Sequence, residues 1–128
     1  MKELELKGLS EQDTARIGEK LGEGLFPGAF IALYGGLGAG KTTLTRSIAA
    51  ALGIRGILSP TFTIVREYAG RIPLFHFDAY RLGDADELYA IGFDEYMARG
   101  GAIIMEWCEK VEDALPAVSY THLRAHET

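Results

Sequence analysis

Gly35-Gly36-Leu37-Gly38-Ala39-Gly40-Lys41-Thr42 is the stretch on which the fold turns. It matches G-x-x-x-x-G-K-[ST], and binding a chain of phosphates accounts for each residue type. The glycines let the backbone curl with its N–H groups pointing inward, and no side chain blocks an anion there. Lys41 brings a cation to the β- and γ-phosphates. The Thr42 hydroxyl is a hard oxygen donor suited to Mg²⁺, and the helix that opens here offers its positive end. Such a loop needs a buried strand before it and an amphipathic helix after it. Both are present. Ala29-Phe30-Ile31-Ala32-Leu33-Tyr34 is a continuous apolar run of the kind buried on both faces. The helix expected from near Lys41 carries Leu44, Ile48, Ala51 and Leu52 on one side, and Gly53 is placed to stop it.

Working outward, Ser10-Glu11-Gln12-Asp13 reads as a capping box. Thr14, Ile17, Gly18, Leu21 and Leu25 then keep the helical period, so a first helix is expected over about residues 11–24, broken by Phe26-Pro27-Gly28. Beyond the loop helix, two β-prone runs at residues 62–68 and 72–77 flank Ala69-Gly70-Arg71 and predict a hairpin. Asp84 to Glu87 caps a helix reaching about Ile91, Gly92 ends it, and a brief helix follows near residues 94–97. Ala102-Ile103-Ile104-Met105 is the next buried strand and finishes in Glu106. This order predicts an α/β fold: a P-loop NTPase-like mixed sheet flanked by helices. There are no internal repeats, and no linker is long enough to divide the chain.

With 128 residues the chain suits one domain with a modest core. No apolar run approaches a membrane span, and the start, Met1-Lys2-Glu3-Leu4-Glu5, has no hydrophobic signal core. One cysteine, Cys108, cannot pair within the chain, which points to a reducing cytoplasm. Thirteen Lys and Arg against 18 Asp and Glu give a net charge of −5 with no basic cluster. A protein that grips nucleic acid alone displays a basic face, so any contact with RNA here is expected to run through a partner.

A P-loop site needs an acidic residue at the end of a neighbouring strand to hold Mg²⁺ or its water. Asp78 ends Leu74-Phe75-His76-Phe77, and Glu106 ends the run before it. The latter run is the more uniformly apolar, as a strand beside the loop strand should be. The pattern therefore favours Glu106 for the metal and leaves Asp78 to orient water or act as a switch. The bland alternative for both is a solvated strand-end carboxylate. His76 shares a strand face with Asp78 and could orient it, or simply pack. Trp107 reads as core packing and Cys108 as a structural thiol, since no His and acid accompany it.

Residues 35–43, Ser59-Pro60-Thr61-Phe62-Thr63, His76-Phe77-Asp78-Ala79-Tyr80-Arg81 and Glu106-Trp107, in this order and spacing, resemble the TsaE family. The resemblance extends from about Lys7 to about Pro116. It implies a cytoplasmic ATPase needed to make threonylcarbamoyladenosine beside the anticodon of tRNA. In that family the protein does not transfer the group itself; it binds the TsaB–TsaD transferase, and ATP hydrolysis supports turnover of that complex. Carried over by motif, Gly38, Ala39, Gly40, Lys41, Thr42 and Thr43 surround the phosphates, and Thr42 and Glu106 hold Mg²⁺. Glu11 and Glu109 match positions near the nucleotide. Lys41, Asp78 and Glu106 are the residues implied to carry catalysis, with Tyr80 and Arg81 in the motif of Asp78. Ser59, Pro60 and Thr61 match a loop that senses the γ-phosphate.

Three departures stand out. Gly36 replaces a common Asp, and Cys108 replaces a common Pro. The third is the end of the chain: the family continues past Pro116 with further strands and a basic residue near the adenine. Residues 117–128 show no expected alternation and do not resemble it, so residues 1–116 are expected to form the ATPase domain. Residues 117–128 are expected to be a non-family tail of foreign sequence, leaving the native C-terminal strands missing. His122 and His126, four apart, could pair on a helix.

Two other functions compete at this stage. A small P-loop metabolite kinase would carry an arginine-rich lid, whereas Arg66, Arg71 and Arg81 are scattered. A nucleotide-gated binding module would lack a chemical step. A GTPase is disfavoured because no [NT]-K-x-D segment occurs.

Overall fold

A computed structural model describes residues 2–7, 10–34, 39–57, 64–108, 111 and 120–126. In chain order the elements are β1 (Lys2–Lys7), α1 (Glu11–Glu23), β2 (Phe30–Tyr34), α2 (Ala39–Ala51), β3 (Val65–Tyr68) and β4 (Leu74–Asp78). They continue with α3 (Ala85–Ala90), α4 (Phe93–Ala98), β5 (Ala102–Glu106) and β6 (Tyr120–His126). The strands form one six-stranded sheet in the order β1-β6-β2-β5-β4-β3. All neighbours run parallel except β3, which closes the edge antiparallel to β4.

Local chemistry explains the helix limits. Ser10 is extended and its hydroxyl accepts the Asp13 N–H, satisfying a donor that the first turn leaves open. Gly53 takes φ +81 directly after α2, the left-handed conformation that lets a chain leave a helix without a Cβ clash. Asp84 caps α3 through the Glu87 N–H, and Gly92 at φ +92 separates α3 from α4.

The sheet divides the core by alternation. On one face Ile31, Leu33, Leu74, Ala102 and Ile104 pack beneath α1 and α2 with Leu44, Ile48, Ala49 and Leu52. On the other, Phe30, Ala32, Phe75, Phe77, Ile103 and Met105 pack with Leu88 and Phe93 of the short helices. Phe93 meets Phe30 and Phe77 edge-to-face at 6.1 and 5.7 Å, the arrangement that ring quadrupoles prefer.

The buried face of α1 is made of small residues, Thr14, Gly18 and Gly22, spaced four apart. A Cβ on Gly18 would meet Leu44 O and Ser47 Cβ, and one on Gly22 would meet Ile48 O and Ala51 Cβ. The partners rise together along both helices, so α1 and α2 run parallel in close backbone contact. At their far ends the hairpin tip joins them. The Arg71 N–H donates to Leu52 O at 2.7 Å, and its guanidinium donates to Gly22 O and Leu25 O.

The structure differs from expectation at both chain ends. The sequence reading assigned no strand to Lys2–Lys7, although Leu4 and Leu6 alternate with charged residues there. The expectation that strands after Pro116 are missing is corrected: Tyr120–His126 forms β6, paired with β1 and β2. A strand with a neighbour on each side is held by backbone hydrogen bonds, which hydropathy does not report. The helical pairing of His122 and His126 is corrected with it, since positions four apart on a strand are about 13 Å apart. Residues 62–63 of the expected hairpin lie outside the described residues.

Candidate functional site

Because β2, β5 and β4 are parallel neighbours, their carboxyl ends share one edge of the sheet, the rim where α/β folds bind ligands. The register aligns three ends in a row: Leu33 of β2 opposite Glu106 of β5, and Glu106 opposite Asp78 of β4. Two residues past Leu33 begins the glycine-rich segment, and α2 opens at Ala39 on the same rim. By alternation Glu106 and Asp78 fall on the sheet face that α1 and α2 cover. The start of α2, where a helix has N–H groups with no partner inside the helix, therefore shares a face and an edge with two carboxylates. Such a start attracts an anion.

Of the phosphate-loop residues expected from the motif, Ala39, Gly40 and Lys41 lie in the backbone of the first turn of α2. Thr42 follows, exposed, and Thr43 accepts a bond from the Ser47 hydroxyl at 2.9 Å. Gly38, Ser59, Pro60, Thr61 and Glu109 lie outside the described residues. Glu11 is exposed in the first turn of α1. Since α1 and α2 run parallel, with Gly18 beside Leu44 and Gly22 beside Ile48, the start of α1 is level with the start of α2.

Glu106 is mostly covered, with its side chain 13% exposed, and its Oε2 is hydrogen-bonded to Nε2 of His76. His76 is buried in the middle of β4, and its Nδ1 has no hydrogen-bond partner. This changes the pairing read from the sequence. His76 and Asp78 do share a face, but the imidazole reaches across to β5 rather than along its own strand. The Asp78 Oδ1 instead accepts the Tyr80 N–H at 2.9 Å and shapes the turn that leaves β4. The Ala79 N–H donates to Glu106 O at 3.0 Å, fastening that turn to the end of β5.

Trp107 was read as core packing and is half-buried, partly against the aromatic face. It also does something the sequence did not signal. Its φ is +60, a left-handed conformation rare for a bulky side chain and costing about 1–3 kcal/mol. There its ring lies 5.0 Å from that of exposed Tyr80, so an aromatic pair stands beside the carboxylate row. Cys108 is fully buried and donates to Met105 O, as a structural thiol should.

The oxygen donors at this rim fit Mg²⁺. That ion prefers hard ligands and takes one or two from protein with the rest from phosphate and water. Thr42 and Glu106 supply a hydroxyl and a carboxylate of that kind, and among the described residues no three His, Cys, Asp or Glu converge as a cage. Also among the described residues, no helix is long and apolar enough to cross a membrane.

Comparison with known proteins agrees with this architecture. A family profile described as "Threonylcarbamoyl adenosine biosynthesis protein TsaE" matches residues 9–128, a stretch that includes the tail set apart above. The tRNA threonylcarbamoyladenosine biosynthesis protein TsaE of Treponema pallidum is 42% identical over 113 residues, covering 88% of this chain and 84% of that protein. The protein of the same name from Bacillus subtilis is 42% identical over 118 residues, covering 91% and 73%. The crystal structure of Bacillus subtilis YdiB superposes with a TM-score of 0.77 at 33% identity, covering 94% of this chain and 74% of that one.

Proposed function

This chain belongs to the TsaE family of tRNA threonylcarbamoyladenosine biosynthesis proteins, and from that premise we propose that it is a Mg²⁺-dependent ATPase serving that modification. It acts in the cytoplasm with the TsaB–TsaD transferase, modifying tRNA beside the anticodon, and meets tRNA through that complex. The net charge of −5 without a basic cluster supports the indirect contact with RNA. The observation that carries the ATPase reading is the row at the sheet rim: the start of α2, Glu106 and Asp78 on one face and one edge.

Phosphoryl transfer depends on positioning and charge stabilisation more than on covalent help from the protein. In this reading the N–H groups opening α2, with Gly38, Ala39 and Gly40, hold the β- and γ-phosphates, and Lys41 balances their charge. Thr42 and Glu106 would hold Mg²⁺, which would supply positive charge to offset that of the phosphates. Thr43, Glu11 and Glu109 border the nucleotide. Asp78 orients the water that attacks the γ-phosphorus; the bond to the β,γ-bridging oxygen breaks, giving ADP and phosphate. The Asp78–Tyr80 turn links that carboxylate to the Tyr80–Trp107 pair and, through exposed Tyr80, to the surface a partner would touch.

The test is ATP turnover measured with no acceptor, then with the TsaB–TsaD pair added. Strong stimulation by the pair is expected. Turnover that appears only with a small-molecule acceptor would replace this reading with a kinase. Thr42→Ala and Glu106→Ala should each weaken the Mg²⁺ dependence; unchanged dependence in both rejects the metal assignment.

A further inference from the structure

We propose that His76 is a positioning residue for Glu106. Its Nε2–H holds one carboxylate oxygen so that the other is presented to the metal side of the site. This rests on the reading of Glu106 as the metal carboxylate. His76 sits inside β4, 2% exposed, between Phe75 and Phe77, and its one hydrogen bond goes to Oε2 of Glu106 on the neighbouring strand. Nδ1 lies buried with no partner. The hydrogen therefore belongs on Nε2, because a hydrogen on Nδ1 would be a buried donor with nothing to receive it.

An imidazole with one nitrogen unsatisfied is a poor choice for filling a core, where an apolar ring carries no such cost. Phe75 and Phe77 do fill it, on the opposite face. What the imidazole adds is direction. Glu106 stands at the last position of β5 and has three side-chain torsions, so the orientation of its carboxylate depends on the groups that hold it. His76 is embedded two residues inside β4, where Cα pairing with Ile104 fixes its height relative to Glu106. A rigid donor gripping Oε2 favours one orientation, with Oε1 turned toward the metal side of the site. Hydrogen-bonded supports of this kind set the geometry of metal-binding carboxylates.

Three variants at position 76 separate direction from packing: His76→Phe keeps the volume without the donor, His76→Gln returns an N–H at similar reach, and His76→Asn carries one that is too short. Affinity for a fluorescent non-hydrolysable ATP analogue is titrated with Mg²⁺ and again in EDTA, alongside the Mg²⁺ dependence of turnover. His76→Phe and His76→Asn should raise the half-saturating Mg²⁺ concentration by on the order of 10–100-fold, with affinity in EDTA unchanged and His76→Gln close to the parent. Equal Mg²⁺ midpoints for His76→Gln and His76→Asn would overturn the proposal, and this pair decides even if His76→Phe does not fold. Glu106→Gln is run in parallel. No effect of Glu106→Gln would refute the carboxylate reading itself, whereas an effect there with none at position 76 would refute only the role of His76.

Discussion

Replacing Gly22 with alanine adds one methyl where the backbones of α1 and α2 are closest. A Cβ at that position would lie 2.5 Å from Ile48 O and 2.6 Å from Ala51 Cβ, against ordinary contacts of 3.4–4 Å. One obstacle is main chain and the other is a Cβ, so no side chain can swing aside; the helices must part by about 1 Å. Overpacking of this sort costs about 1–3 kcal/mol. Against it, alanine is favoured over glycine in a helix by about 1 kcal/mol. The difference is a net loss of up to about 2 kcal/mol and a midpoint lowered by up to about 7 °C for a chain of this size. Gly24→Ala is the internal control. Gly24 ends α1 at φ −88, and a Cβ there meets nothing nearer than 3.7 Å. It should be neutral or stabilising by up to about 1 kcal/mol, through a less flexible unfolded chain. Thermal and urea unfolding followed by circular dichroism reads both. A Gly22→Ala protein more stable than its parent, as Gly24→Ala can be, would refute the tight parallel packing on which the common rim of the two helices depends.

Asp78→Asn keeps the Oδ1 that accepts the Tyr80 N–H, so the turn should survive. Nucleotide affinity by calorimetry should persist while single-turnover hydrolysis falls, and loss of affinity instead would exchange the roles of Asp78 and Glu106. Phe93→Ala removes a ring that touches both Phe30 and Phe77 in the buried aromatic face. The loss should be about 3–5 kcal/mol by urea unfolding, and under 1 kcal/mol would mean that α4 is loosely docked. Saturating Mg-ATP should raise the unfolding midpoint, by about 2.7 kcal/mol of added stability at one hundred times Kd. No shift at any concentration would defeat the nucleotide-binding reading.

What was legible in the sequence was local. Ser10 announces a cap because its hydroxyl can serve only the turn beside it, and Gly53 and Gly92 announce stops because their φ is positive. The adjacency of the Glu106 strand to the loop strand was legible too, since a uniformly apolar run must be covered on both faces. The His76–Glu106 bond was not. Strand parity places the two residues on a common face, but their meeting depends on the β4–β5 register, which no local pattern reports. The left-handed Trp107 was equally hidden, because nothing in its neighbours demands that conformation. β6 was missed for a third reason: its pairing is a property of the backbone and of β1 and β2, not of its own side chains.

The clasp formed by Arg71 has a mechanical consequence. It pins the trailing ends of α1 and α2 at one place, and their leading ends open together toward the rim. Two rods tied at one end and in backbone contact along their length resist sliding past one another, so the spacing of their leading ends at the rim is held by the packing behind them.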